Sequence, residues 1–202
     1  RKYYLTSIYM KVVILTVPSR YDLAAVTYQS CLDVCIPEDM IHVIDGYEKE
    51  HFKLKLNKLV IKSFIDKIVL QHPNEDLLYI EDGTILQENP LNIITPSEYI
   101  EWLGYIRRQK NYIVGCKVVY FPKEHIKKII DRKRFPHMDR AIYEYGIKNE
   151  CLYIHPHTIV KFQDYETSIP GTGYQYKWKE KLKRWVNEGI QSQGQCSTHS
   201  SF

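Results

Sequence analysis

The sequence lacks the patterns that identify several common classes of protein. Its 202 residues contain neither Gly-x-Gly-x-x-Gly nor Gly-x-x-x-x-Gly-Lys-[Ser/Thr], which argues against a Rossmann dinucleotide site and against a P-loop. No apolar run approaches the ~18 residues that span a bilayer. The longest run, Val12-Val13-Ile14-Leu15, ends at Thr16 and has no small-residue cleavage site beside it, so we expect no signal peptide here.

A strong charge excess and a cysteine framework are also missing. The chain has 28 Lys and Arg residues against 24 Asp and Glu residues, a formal net charge of +4. This excess is small and scattered, so we expect no nucleic-acid partner. The cysteines are odd in number and form no Cys-x-x-Cys pair, which favours reduced core thiols in a cytoplasmic protein. They are Cys31, Cys35, Cys116, Cys151 and Cys196.

Tyrosine is the abundant residue type. The chain has 17 Tyr against 6 Phe and 3 Trp, within an ordinary globular composition of 44% hydrophobic and 26% charged residues. A tyrosine ring has an apolar face and a polar tip, so it suits half-buried packing as well as stacking against bases or sugars. The chain begins at Arg1 rather than Met. We therefore expect a piece of a longer chain that carries further domains. Separately, we expect this piece to be monomeric.

Short apolar segments alternate with helical periodicities in the first half of the sequence. Strands are predicted at 12–17, 41–44 and 77–80, with helices at 22–36 and 52–70 between them and Asp22 as an N-cap. This β-α-β-α-β order predicts an α/β fold, with a mostly parallel sheet between helices.

The second half predicts a more mixed order of elements within the same domain. The patterns indicate helices at 97–108, 122–132, 138–146 and 176–188, and strands at 112–121, 151–154 and 158–162. The polar residues 191–202 predict a disordered tail.

Ligands of parallel α/β sheets bind beyond the carboxyl ends of the strands, and three such ends carry polar groups. After the first strand, Thr16, Val17, Pro18, Arg20 and Tyr21 offer backbone groups, a guanidinium and an aromatic face for a nucleoside diphosphate. A solvated connection between strand and helix is the alternative for this segment.

Acidic residues follow the second and third strands. Asp45 could accept a hydrogen bond from a ribose or a base, although Asp-Gly is also a common turn. Glu81 and Asp82 would repel a diphosphate unless a divalent cation lay between these carboxylates and the phosphates. Mg²⁺ and Mn²⁺ bind such carboxylate ligands. An Asp-Gly turn is again the alternative.

Three segments resemble the motifs of the GT-A glycosyltransferases. Residues 76–86, Asp-Leu-Leu-Tyr-Ile-Glu-Asp-Gly-Thr-Ile-Leu, are similar to the aspartate motif of that family. Residues 153–169 resemble its Pro-x-x-x-x-Phe-Gln-His stretch, and residues 136–146 look like its acceptor-side helix. The resemblance covers roughly 12–169. In its compact length and its basic C-terminal helix, the chain most resembles the members of this family that glycosylate the capsids of chlorella viruses.

The resemblance implies a single GT-A domain over residues 1–190, with a nucleotide-sugar half at 8–90 and an acceptor half at 91–190. It implies a metal-dependent hexosyltransferase that moves sugar from a UDP-sugar donor to a glycan or glycoprotein acceptor. Manganese or magnesium would be held by Asp82, with Asp164 or His157. Gly83 departs from the pattern, because many relatives have a further acid there. The implied location is the cytoplasm, that of the host if the protein is viral.

The remaining candidate residues have separate predicted roles. Asp139 would deprotonate the acceptor hydroxyl if the reaction inverts the sugar configuration. Asp45, Asn57 and Lys58 would contact the base and ribose, and Tyr21 would stack on the base. Two other functions stay open: a non-catalytic nucleotide- or glycan-binding module of the same fold, and a nucleotidyltransferase.

Overall fold

One mixed six-stranded sheet organises the chain. The computed structural model describes residues 10–48, 56–95, 98–103, 107–109, 112–114, 117–130, 138–156 and 159–160. Eight strands lie in these ranges: β1 (Met10–Thr16), β2 (Ile41–Asp45), β3 (Asp76–Glu81), β4 (Ile100–Trp102), β5 (Arg107–Gln109), β6 (Tyr112–Val114), β7 (Val118–Phe121) and β8 (Leu152–Ile154). The order of the large sheet is β2-β1-β3-β7-β4-β8, and β5 pairs with β6 separately.

The helices connect these strands. They are α1 (Tyr21–Asp33), α2 (Leu56–Ser63), α3 (Lys123–Ile130) and α4 (Met138–Lys148). The segment Phe64–Val69 continues α2 as a π-helix. Short 3₁₀ turns lie at Pro18–Arg20, Glu38–Met40 and Pro90–Asn92. None of the described helices is long and apolar enough to cross a membrane.

The sheet is mixed because one strand runs against the others. The β1 strand pairs in parallel with β2 and β3, and β4 pairs in parallel with β8. The β7 strand is antiparallel to both β3 and β4. All strands of this sheet except β7 therefore run in one direction, which confirms the predicted α/β fold with a mostly parallel mixed sheet.

Strands from both predicted halves share one core. The central residues Val12, Val13 and Ile14 of β1 are fully buried, as expected for a strand that is covered on both faces. The ring of Phe64 packs edge-on against Tyr79 and tilted against Phe121, with centroid distances of 5.6 and 5.5 Å. Residues beyond 160 lie outside the described part, so the predicted domain end at 190 and the tail at 191–202 stay predictions.

Two of the predicted elements in the second half are wrong. Residues 98–103 do not continue a helix, because Ile100, Glu101 and Trp102 form the buried strand β4 between β7 and β8. The single strand predicted at 112–121 is divided between β6 and β7, which belong to different sheets. In both cases strand pairing across the sheet outweighs the local pattern. The strand predicted at 158–162 and the helix predicted at 176–188 are not tested, because nearly all of those residues lie outside the described ranges.

The expectations for Asp22 and for the cysteines also need correction. The α1 helix begins at Tyr21 with no side-chain cap, so Asp22 lies inside the first turn. Cys31 and Cys151 are free and buried, and burial raises the pKa of the Cys31 thiol to about 12. Cys35 is disulfide-bonded, so the expectation of a reduced thiol is wrong for this residue.

Two helices end with a non-glycine residue in the left-handed region. Cys35 follows α1 with φ 62°, and Glu150 follows α4 with φ 52°. In each case the amide of the next residue donates to the carbonyl five residues earlier, in the last turn of the helix: Ile36 N donates to Cys31 O at 3.0 Å, and Cys151 N donates to Gly146 O at 2.9 Å. This is the Schellman arrangement, in which glycine is the usual residue at the left-handed position.

Glu150→Gly should therefore stabilise the protein by about 1 kcal/mol, because it removes the clash of a side chain in the left-handed conformation. The free energy of unfolding is measured by urea denaturation. Lys148→Gly is the matched control, since it places glycine two residues earlier within α4 and should cost about 1 kcal/mol. A loss of stability in Glu150→Gly would contradict the explanation.

Candidate functional site

The carboxyl ends of five strands meet at one edge of the sheet. Because only β7 is reversed, β1, β2, β3, β4 and β8 all end there, and we call this side the carboxyl edge. The register places Thr16 of β1 beside Asp45 of β2, and Leu15 beside Glu81 of β3. The three strand ends that the sequence singled out are thus neighbours in space.

Arg20 and Asp82 form a bidentate ion pair at the carboxyl edge. Arg20 Nε donates to Asp82 Oδ2 at 2.9 Å, and Arg20 Nη2 donates to Asp82 Oδ1 at 2.5 Å. The Thr16 hydroxyl donates to Asp82 Oδ2 at 2.9 Å. Extended Val17 and the 3₁₀ turn that Pro18 begins place Arg20 over the carboxylate. We call Thr16, Arg20 and Asp82 the Arg20–Asp82 cluster.

Asp82 is buried and Arg20 is partly buried, and the charge of each affects the pKa of the other. Asp82 is 5% exposed, while the Arg20 side chain keeps 21% exposure. Burial raises the pKa of the Asp82 carboxyl, and the Arg20 charge and hydrogen bond oppose that rise. Burial lowers the pKa of Arg20, but the charge and hydrogen bond of Asp82, together with the charge of Glu81, outweigh that effect, and the net direction is upward. Both Asp82 oxygens accept hydrogen bonds, which fits an ionised carboxylate beside a charged guanidinium.

Backbone donors and α1 hydroxyls hold the turn that carries Asp82. Thr84 N donates to Thr27 Oγ1 at 2.9 Å, and Leu86 N donates to Ser30 Oγ at 2.6 Å. Gly83 adopts φ 78°, a conformation in which a side chain is strained. The departure at 83 from the family's acidic pattern therefore has a conformational reason in this chain.

A tyrosine and a carboxylate form the exposed part of the edge. The Tyr21 hydroxyl donates to Asp45 Oδ2 at 2.7 Å, and Tyr21 is 49% exposed. The hydrogen bond to Asp45 raises the pKa of Tyr21. Asp45 thereby fixes the tip of the ring, and the ring face stays available to a ligand.

Glycine at 46 lets this strand end approach α2 closely. Gly46 N donates to Thr16 O at 2.7 Å, and a Cβ at this position would lie 2.8 Å from Ser63 Oγ. The Ser63 hydroxyl also accepts from Tyr47 N at 2.8 Å. The Asp45-Gly46 pair is thus a tight junction between β2 and the helix, as well as the source of the Asp45 carboxylate.

The donor set around Asp82 does not fit a divalent cation. Mg²⁺ and Mn²⁺ need several free oxygen ligands, but both oxygens of Asp82 are occupied by Arg20 and Thr16. Glu81 pairs with Lys117, whose Nζ lies 3.0 Å from Glu81 Oε1. Among the described residues, no three His, Cys, Asp or Glu side chains come together as a possible metal site.

Several predicted residues are not brought into this cluster. Asp139 is the second residue of α4, where its Oδ1 accepts from Arg140 N at 2.8 Å, so its role stays a prediction. Lys58 is an exposed residue of α2, and Asn57 lies in the same helix with its side chain outside the described ones. Asp164 and His157, the other proposed metal ligands, lie outside the described residues, so metal dependence also stays a prediction.

A buried acid–histidine pair was missed by the sequence reasoning. Glu101 of β4 is 2% exposed, and its Oε2 lies 2.7 Å from His155 Nε2. Glu101 Oε1 accepts from Thr95 N at 3.1 Å. His155 follows β8, so this pair also lies toward the carboxyl edge. The available signal was the lone acid between Ile100 and Trp102, which a helix at 97–108 would place opposite the apolar residues.

Comparisons with known proteins support the fold. No protein-family model matches the chain, and no curated protein sequence matches it. The structure is similar to that of a glycosyltransferase involved in the glycosylation of the major capsid of PBCV-1, with a TM-score of 0.57 and 11% identity. The match covers 87% of this chain and 98% of that one. The glycosyltransferase GlyE of Streptococcus pneumoniae matches with a TM-score of 0.45 and 10% identity, over 90% of this chain and 64% of its own.

The first of these similarities shows the fold. A mixed sheet with parallel β1, β2 and β3, flanked by helices, is the arrangement that the GT-A resemblance implied, and that prediction is confirmed.

Removal of one partner of the Glu101–His155 pair should destabilise the protein strongly. His155→Ala removes the imidazole that lies against the buried Glu101 carboxylate, so the free energy of unfolding should fall by roughly 3 kcal/mol. His72→Ala is the matched control, because His72 contacts Glu75 at the same 2.7 Å but with side chains 19% and 26% exposed. Its cost should stay within about 1 kcal/mol. Equal losses in the two variants, measured by urea denaturation, would contradict a special role of burial.

Proposed function

We propose that this chain is a glycosyltransferase that moves a sugar from a UDP-sugar to a hydroxyl group of a glycan or glycoprotein. The observation that carries the proposal is the convergence of Tyr21, Asp45, Thr16 and Arg20 at the carboxyl edge of one α/β sheet. The likeness in fold to a glycosyltransferase adds support. A ligand at this edge would meet an aromatic face, a carboxylate and a guanidinium in succession.

The nucleoside would bind at the exposed part of the edge. The half-exposed ring of Tyr21 supplies a stacking face for the uracil. Asp45 Oδ2 accepts from Tyr21, while Oδ1 receives no hydrogen bond from the described residues and can accept one from a ribose hydroxyl or a base N–H. The backbone at Val17 and Pro18 borders this position, and Glu81 lies at the end of the next strand. Asn57 and Lys58 of α2 complete the predicted set.

Transfer breaks the bond between the anomeric carbon and the β-phosphate oxygen, and the bonding electrons leave with UDP. A bond from the anomeric carbon to the acceptor oxygen forms, and the hydroxyl proton must go to a base. We assign that proton to Asp139 for an inverting reaction, since α4 is the predicted acceptor-side helix.

The nucleoside position is tested by the affinity for UDP, measured by isothermal titration calorimetry. Tyr21→Ala should weaken UDP binding roughly tenfold, because one stacking face contributes about 1–3 kcal/mol. Tyr28→Ala is the matched control on the same helix, since the Tyr28 hydroxyl donates to Glu38 at 2.6 Å just as that of Tyr21 donates to Asp45. It should bind UDP like the unaltered chain. A similar loss in both variants would show that the effect is structural.

Product analysis separates this function from the two alternatives. A glycosyltransferase releases UDP from one member of a UDP-sugar panel, slowly to water and faster with an acceptor glycan. A nucleotidyltransferase would instead release pyrophosphate from UTP and a sugar phosphate. A binding module would bind UDP and release neither product.

Asp139→Asn should lower the rate of sugar transfer by about 10²–10⁴-fold, because the acceptor hydroxyl then has no base, while UDP affinity stays unchanged. Glu144→Gln is the control on the same helix, since Glu144 pairs with Arg140 and has no proposed role. Full transfer activity in Asp139→Asn would remove the assignment of the base.

A further inference from the structure

We infer that Arg20, held in place by Asp82, is the group that binds the diphosphate of the donor, and that donor binding needs no divalent cation at Asp82. This inference rests on the proposed function and specifies how the donor is held. Asp82 becomes a positioning residue rather than a metal ligand.

The first reason is the occupancy of the carboxylate. Asp82 is 5% exposed and accepts three hydrogen bonds from Arg20 and Thr16. A cation bound to Asp82 would have to displace the guanidinium and would then lie beside it in a poorly solvated place. Both the lost hydrogen bonds and the like-charge repulsion oppose that exchange.

The second reason is the state of the Arg20 side chain. A guanidinium has five N–H donors, and the pairing with Asp82 uses one on Nε and one on Nη2. The other three donate to no acceptor among the described residues, and the side chain keeps 21% exposure. Arginine bound rigidly on one side and open on the other is well suited to planar recognition of phosphate oxygens.

The third reason is the charge balance of the edge. Two adjacent acids, Glu81 and Asp82, would repel a diphosphate, and that repulsion was the argument for a bridging metal. In the structure each acid has its own cation, Lys117 for Glu81 and Arg20 for Asp82. These two ion pairs leave no net charge at the end of β3, so the repulsion by Glu81 and Asp82 that required a metal is removed.

The test compares the binding of UDP with that of uridine, each in EDTA and in Mn²⁺, by isothermal titration calorimetry. The unaltered chain should bind UDP more tightly than uridine and equally well in both solutions. Arg20→Gln should weaken UDP binding roughly tenfold or more, because charge-assisted hydrogen bonds to the phosphates are lost, and should leave uridine affinity unchanged.

Two further variants keep this test interpretable. Arg20→Gln leaves Asp82 buried without its partner, so the double variant Arg20→Gln/Asp82→Asn, which has no unpaired charge, should show the same selective loss of UDP affinity. Lys11→Gln is the matched control, because it removes one positive charge from the amino end of β1, where Lys11 pairs with Glu75 at 3.4 Å. It should change neither affinity.

The variant Asp82→Asn shows whether Asp82 positions Arg20 or binds a metal. It weakens the hold on Arg20, so UDP affinity should fall by the same factor in EDTA and in Mn²⁺. UDP binding that appears only with Mn²⁺, and disappears in Asp82→Asn, would overturn the inference but leave the proposed function intact. Failure of the unaltered chain to bind either UDP or uridine in any solution would overturn both.

Discussion

The ion pair between Arg20 and Asp82 is the constraint on which the candidate site depends. It joins the connection after β1 to the turn after β3, two segments 62 residues apart in sequence. A buried pair of this kind adds little to stability, since the cost of removing two charges from water offsets most of their attraction. Its effect is geometric, because a planar guanidinium bound at two points has one orientation. The positions of the neighbouring Thr16 and Tyr21 follow from the same turn.

The surrounding fold keeps this pair in place with few elements. The hydroxyls of Thr27 and Ser30 on α1 accept the amides of Thr84 and Leu86, so the helix after β1 also fixes the turn after β3. Within the sheet, the antiparallel strand β7 lies between β3 and β4, and it brings the two predicted halves into one sheet. Polar groups at the carboxyl edge, Glu101 and His155 included, are therefore supported by strands that come from distant parts of the chain.

The first half of the fold was predictable because its signals are local and strong. The run Val12-Val13-Ile14-Leu15 admits a buried strand, and the periodicity after it admits an amphipathic helix. The second half was less predictable, since residues 98–103 contain apolar side chains at spacings that suit either a helix or a strand. Pairing with β7 and β8 decided for a strand, and it also buried Glu101, an acid that a helix would have placed in water. No pattern within a few residues contains that information.

The sequence by itself determined that three strand ends carrying polar residues lie at one edge of the sheet, because parallel strands that run in one direction end on the same side. These ends are Thr16 to Tyr21, Asp45, and Glu81 with Asp82. It also determined that a fold of the GT-A type suits their order. Only the tertiary structure decided what Asp82 does, because its nearest partners are set by contacts between β1 and β3 and not by spacing. The sequence motif predicts that the Asp82 carboxylate is a metal ligand, but in the structure this carboxylate is bound to Arg20. The physical reason is burial, since a charge that leaves water must find its partner among the groups that the fold brings beside it.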